Sequence, residues 1–418
     1  MATRYFLGQA KQVAQVNTVT IAGTWAAADT ITITVNGVDF VVTIGSLVTT
    51  AQVATTLNEA FNGTVSAYTD TTASSSPTLA QGGAQAIPQL AAITATVSGS
   101  VVSLTADEEG VPFTVTVTES TAGTGTAAGA VATAATGKWF WSDADNWSGA
   151  TVPVGADDVI IDRPLPILYG LDQSAVTLTS LTIAATFQDG GYLGLPRDNP
   201  GGYAEYRDDY LKIGATTCRI GTGTGNGSNR IKINFGSVQT ALEVQKTAQS
   251  LETGVPACLI LGTHASNAAD IQEGEVGFGF YGEATTLLTL RVAAGGTATC
   301  GAGCTLGTVT GEGTVGINGA VTTITQYAGD WTISGGGAVT TLTVITGTLH
   351  YESSGTVTTA NIGGTQGSAT VDCSQDASAR TFTTTNLKAG GRIVDPMRTI
   401  TFTNGIAMDS QAREVAAA

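Results

Sequence analysis

Between Ile31 and Ile44 apolar side chains fall on every second position either side of an Asn-Gly pair. Ile31, Ile33 and Val35 alternate before Asn36-Gly37, and Val38, Phe40, Val42 and Ile44 alternate after it. A period of two with a turn that tolerates positive φ predicts a β-hairpin. The pattern then changes. In "TTAQVATTLNEAFNG" Val53, Leu57 and Phe61 recur at helical spacing, Thr49 or Thr50 can cap the start, and Gly63 can end it. Strand-like runs flank these elements: Thr18–Trp25 before, Ile93–Asp107 and Pro112–Ser120 after, the last with Phe113, Val115 and Val117 alternating. Together they predict a small α+β domain over residues 16–118, in the order β-β-β-α-β-β-β, its amphipathic helix packed on a sheet. A Ser-, Thr-, Ala- and Gln-rich stretch, Asp70–Gln89, reads as its loop. Residues 1–15, polar and irregular, read as a free N-terminal arm. Residues 119–137, mostly Gly, Ala and Thr, read as a flexible linker.

Farther along, the pattern repeats itself. Val321, Val339 and Val357 each open a Val-Thr-Thr phrase, 18 residues apart, and Gly311, Gly329 and Gly347 keep the same step. Leu288, Leu306, Ile324 and Leu342 are spaced identically, as are Val309, Tyr327 and Ile345. Fixed self-similarity at a short period marks a solenoid. Eighteen residues at ~3.3 Å each give a path of ~60 Å, enough for one coil of three short faces. The expectation is a mostly β protein whose residues 163–418 form a single-chain β-helix with ~18-residue coils. Val321, Val339, Val357, Leu306, Ile324 and Leu342 are its inward ladder, Gly and Asn its corners, and Thr its outer surface. The period leaves the handedness open.

Composition supports a β reading. Gly accounts for 54 of 418 residues and charged residues for 12%, against a typical ~25%. Thr, Val and Ile suit the pleat because of their branched Cβ. The net charge of −16 argues against nucleic acid and against anionic membrane surfaces as partners, since both require clustered Lys and Arg. The opening "MATRYFLGQAKQVAQVNT" holds no apolar core of the secretory type, no run of ~18 apolar residues follows, and the terminal "DSQAREVAAA" is not an anchor.

The stretch "GKWFWSDADNWSGATVPVGADDVIID", 137–162, gathers Trp139, Trp141 and Trp147 with Asp143, Asp145, Asp157, Asp158 and Asp162. One reading is a Trp-rich cap over residues 138–162 that closes the first coil of the solenoid. Others are tryptophans stacking on sugar rings or aspartates holding Ca²⁺. "DADNW" lacks the glycine and glutamate of an EF-hand loop. The pattern Trp141-x-x-Ala144-x-Asn146-Trp147-Ser148-Gly149, followed by Pro153 and "DDVIID", resembles the opening of β-helical regions in bacterial surface and autotransporter-type proteins. The segment 16–62 is similar to small domains of tailed-bacteriophage virion proteins. The resemblance implies a virion structural protein of the capsid-decoration or tail-accessory type, assembled in the host cytoplasm. Its small domain would dock to the major capsid protein or to tail proteins, in a homo-oligomer, with a trimer favoured.

Candidate chemistry is sparse. Five cysteines (218, 258, 300, 304, 373) and two histidines (264, 350) form no metal-ligand spacing, and read as small core residues and isolated imidazoles. "RIGTGTGNGSNR" lacks the Gly-Lys-Ser/Thr of a phosphate loop. Asp208-Asp209, Glu273 with Glu275, and Arg230 with Lys232 are the charged pairs a polysaccharide-cleaving groove would use. "YAEYRDDYLKIG", 203–214, interrupts the strand pattern as an aromatic and charged insert. No catalytic residue, cofactor or metal is assigned. The expected function is non-enzymatic, with a tail-tip fibre or bacterial glycan-binding adhesin as the alternative and a polysaccharide-degrading β-helix after that.

Overall fold

The computed structural model describes residues 2–44, 49–63, 72–76, 87–199, 202–225, 229–248, 250–252, 254–364 and 367–409. Most of the loop expected over 70–89, part of the glycine-rich run (226–228) and the end of the expected β-helix (410–418) lie outside these residues. The chain is mostly β and divides into two compact units, neither continuous in sequence. The larger unit holds residues 1–7, 147–194 and 210–418, and the smaller holds 8–146 and 195–209.

The smaller unit contains two four-stranded antiparallel sheets and one helix. Thr30–Val35 and Val38–Thr43 form the expected hairpin, with Asn36 at φ 52° and Gly37 at φ 77° in its turn. The helix spans Thr50–Phe61. Thr49 and Gln52 close a capping box, each side chain accepting from the other's backbone N–H. Its buried stripe includes Val53, Leu57 and Phe61. Phe61 meets Phe40 edge to face at 5.8 Å, each ring contributing roughly 1.5–3 kcal/mol by burial. Both sheets and the helix share one core.

Three expectations need correction. The expected linker contains the strand Thr126–Thr133, paired along its length with Val16–Ala22. Small side chains there read as flexibility, yet backbone hydrogen bonds to a neighbouring strand order them. A further strand, Thr72–Ser76, pairs with Val38–Thr43 inside the expected loop. The expected arm is likewise ordered in part. Thr3–Tyr5 pairs in parallel with Asp158–Ile161 and is the first strand of the larger unit's sheet.

That sheet has 21 strands among the described residues. Through its C-terminal half each strand pairs, in parallel, with the next strand but one. Val321 lies opposite Val339, and Val339 opposite Val357. Ile324, Leu342 and Ala360 form a second column, and Trp331, Leu349, Val371 and Ile393 a third. All of these side chains are buried. Inward positions in Val339–Val344 and Val357–Ile362 are spaced three and then two apart. A flat strand would keep a step of two, so the chain turns a corner after the valine. Outward positions form threonine columns, among them Thr308, Thr323, Thr341, Thr359 and Thr384.

The step is not uniform, and this corrects two expectations. Leu306 pairs with Val321, a step of 15, and so belongs to the valine column; Val309, not Leu306, pairs with Ile324. Tyr327 and Leu288 are exposed. The inward neighbour of Leu306 is Leu287. Val357 pairs with Phe382, a step of 25. Upstream, Leu211–Thr222, Ile231–Asn234, Cys258–Leu261, Ala268–Phe278 and Ala241–Val244 pair in a closed circuit of five strands. The circuit closes because the two long strands, Leu211–Thr222 and Ala268–Phe278, each bend to serve two columns.

Candidate functional site

A cleft of about 110 Å³ among the described residues belongs to the smaller unit. Its floor is apolar and mostly buried: Ile93, Ala106 and Phe113. The hairpin turn, the 87–92 segment and the aromatic insert form the walls. Each is fixed by specific bonds. The buried Asn36 side chain donates to Gln89 O at 2.5 Å and accepts from Thr114 N at 3.0 Å, joining three segments through one amide. Gln15, also buried, donates to Phe113 O at 2.6 Å and accepts from Phe113 N at 3.1 Å.

Leu195–Asp209 leaves the larger unit's strands and belongs to the smaller unit. Its organiser is Glu205. The Arg207 guanidinium grips this carboxylate with Nε at 2.8 Å and Nη2 at 3.0 Å. The backbone N–H groups of Tyr206 and Arg207 donate to the same carboxylate, both at 3.0 Å, and Asn199 Nδ2 donates at 3.2 Å. Burial alone would push the Glu205 carboxyl up, but the hydrogen bonds and charge of Arg207 outweigh it and hold the group below the usual range. Arg207 also lies over the Tyr206 ring at 4.8 Å, and Tyr206 stacks on Tyr203 with centroids 6.2 Å apart. Tyr203, Tyr206 and Arg207 thereby form one wall of the cleft. The lining also includes Gln89 and Glu108.

The three tryptophans expected to form one cap are divided between the two units. Trp147 is in the larger unit, buried, with Phe6 edge-on at 5.2 Å. Trp139 and Trp141 belong to the smaller unit. The chain crosses between units at 146–147, which splits the motif. Buried Asn146 accepts from Ala10 N and donates to the carbonyls of Gly137 and Phe140, all at 2.8 Å, so it is a local tie. The nearby aspartates are structural too: Asp143 accepts from Asp145 N, and Asp157 from Ala2 N, Val154 N and Arg4 Nε. Among the described residues no three His, Cys, Asp or Glu side chains are grouped to hold a metal ion.

Glu273 pairs with Lys246 at 3.5 Å, and burial raises the Glu275 carboxyl. Arg230 donates to Gly194 O and covers Tyr192, while buried Lys232 lies over Tyr210. Asp208 and Asp209 are in the smaller unit. His264 accepts from Ser266 N, and His350 lies between Asp330 and Asp372 on neighbouring strands. All five cysteines are free and buried. The cleft itself was missed by sequence reasoning. Its one signal is the aromatic insert, and nothing local says which unit an insert joins. Comparison with protein-family models, curated proteins and solved structures finds no match to this chain.

Proposed function

We propose that the larger unit winds as a single-chain β-helix and that the protein is a non-enzymatic structural component of a phage particle. The observation that carries this reading is the pairing of Val321, Val339 and Val357 in register on successive strands, with Thr columns outside. Next-but-one pairing and a corner inside each longer strand are what a coil of stacked faces requires. Such a body commits its buried side chains to packing and offers a regular, weakly charged exterior. The resemblance of residues 16–62 and 141–162 to virion and surface β-helix proteins supplies the setting: capsid decoration, with the smaller unit docking to the major capsid protein and the β-helix lying on or projecting from the shell. A trimer is the favoured assembly. Net charge −16 suits a soluble protein held at high local density.

The test is density-gradient purification of particles from a lysate of cells carrying the gene within its phage genome, followed by peptide mass spectrometry and cryo-EM. Peptides from both units should band at the particle's buoyant density in fixed ratio to the capsid protein. Recovery of the chain only in the soluble fraction would overturn the reading.

A further inference from the structure

We infer that the cleft of the smaller unit is a binding site for one pyranose unit of a neutral glycan. The inference does not depend on the particle reading, because it rests only on the cleft.

Sugar rings have an apolar face of C–H groups and a rim of hydroxyls, so they are recognised by aromatic surface flanked by a few polar groups. The cleft has that arrangement. Tyr203, Tyr206 and Phe113 supply aromatic surface, and Pro88 and Pro112 add rigid apolar edges. Gln89 and Glu108 line the same space, and among the described residues neither side chain has a hydrogen-bond partner within the protein. An amide gives two donors and an acceptor, and a carboxylate accepts from hydroxyls.

Size and charge narrow the ligand. A water needs roughly 10–15 Å³ by this measure, so about 110 Å³ admits a single ring and not an extended chain. The Arg207 charge is matched by Glu205 at 2.8 Å, leaving Glu108 to set the local sign. An anionic sugar would be repelled, whereas a neutral one meets acceptors for its hydroxyls. The walls are also preorganised: Asn36 fixes the hairpin turn, Gln15 fixes Phe113, and Glu205 fixes the tyrosine pair. Little ordering is left for the ligand to impose.

The test is saturation-transfer difference NMR on the full chain with the methyl glycosides of glucose, galactose, mannose and N-acetylglucosamine, each titrated alone. At least one should saturate with a Kd on the order of 1 mM, and Tyr203→Ala or Glu108→Ala should weaken it about tenfold or more. Glu108 is exposed and has no hydrogen-bond partner among the described residues, so its variant folds even if the tyrosine variant does not. Failure of all four glycosides to saturate, or saturation unchanged in Glu108→Ala and in any folded Tyr203→Ala, would remove the site.

Discussion

The Phe6 ring stands edge-on to Trp147, with centroids 5.2 Å apart and planes at 73°. Both side chains are fully buried, and a backbone bridge joins the two residues. Beside them Thr3–Tyr5 forms the outermost strand of the large sheet. Residues expected to hang free as an arm are therefore part of a core. Phe6→Ala should lower stability by about 3–5 kcal/mol, as for other buried aromatics. Denaturant unfolding followed by Trp fluorescence checks this. A variant as stable as wild type would return these residues to the role of an arm.

Acid should loosen the same region. The Asp157 carboxylate is nearly buried, which by itself raises its pKa. The N–H groups of Ala2 and Val154 and the Arg4 guanidinium outweigh burial and hold it below its ordinary 3.8. A lowered folded value means that its stabilisation is complete above the unfolded pKa and is lost as pH falls through the folded one. Asp157→Asn should be less stable than wild type at pH 7, and the gap should narrow below about pH 4. Urea midpoints measured from pH 7 to pH 2.5 give the comparison. A gap that widens on acidification would contradict the assignment.

The column through Ile324, Leu342 and Ala360 offers a packing test. Leu342→Ala removes a fully buried side chain between two neighbouring strands and should cost about 2–5 kcal/mol. Thr341→Ala, on the outward side of the same strand, should change stability by no more than ~0.5 kcal/mol. Equal losses at the two positions, read from calorimetric melts, would show that inside and outside are misassigned.

Arg380 lies on the strand reached by the longest step of the valine column, Val357 to Phe382. Its side chain is buried, donating to the carbonyls of Tyr351, Asp376 and Ser378, with the Asp376 carboxylate at 3.6 Å. Arg380→Ala would leave these carbonyls without their donor and should destabilise by about 2–4 kcal/mol. Arg380→Lys should recover only part of this, because an ammonium cannot reproduce the fork of donors. Chemical denaturation of both variants is the measurement.

The cysteines provide a test of burial. Burial pushes the Cys218 and Cys258 thiols up, and takes Cys373 up to about 12; Cys300, hydrogen-bonded to Cys304, is raised as well. Native protein at pH 8 should react with none of its thiols in a colorimetric thiol assay, and denatured protein with five. Rapid labelling of native protein would mean that the columns open.

Local signals in the sequence located local elements. Asn36-Gly37 set the hairpin, and the Thr49–Phe61 spacing set the helix, because a turn and a capped amphipathic stripe are decided by neighbours in the chain. The 18-residue step was legible where both linking loops keep their length, from Val321 to Val357. It failed at Leu306 and at Phe382, since a loop can shorten or lengthen without moving the inward residues it connects. Thr126–Thr133 was hidden by its composition. Strand Thr3–Tyr5 and the insert at 195–209 were hidden by distance, their partners lying far along the chain. The cleft depends on that insert, so the sequence alone did not assemble it.

The placement of Thr3–Tyr5 beside Asp158–Ile161 bears on synthesis. The partner strand is translated about 150 residues after the first, a delay of roughly 8–30 s at 5–20 residues per second. Residues 8–146 emerge in that interval and can build most of the smaller unit before the large sheet acquires its outermost strand. The nascent chain must therefore carry the segment around Phe6 unpaired until Trp147 and its successors clear the ribosome. A chaperone that shields short exposed segments would find its binding site there, early in translation.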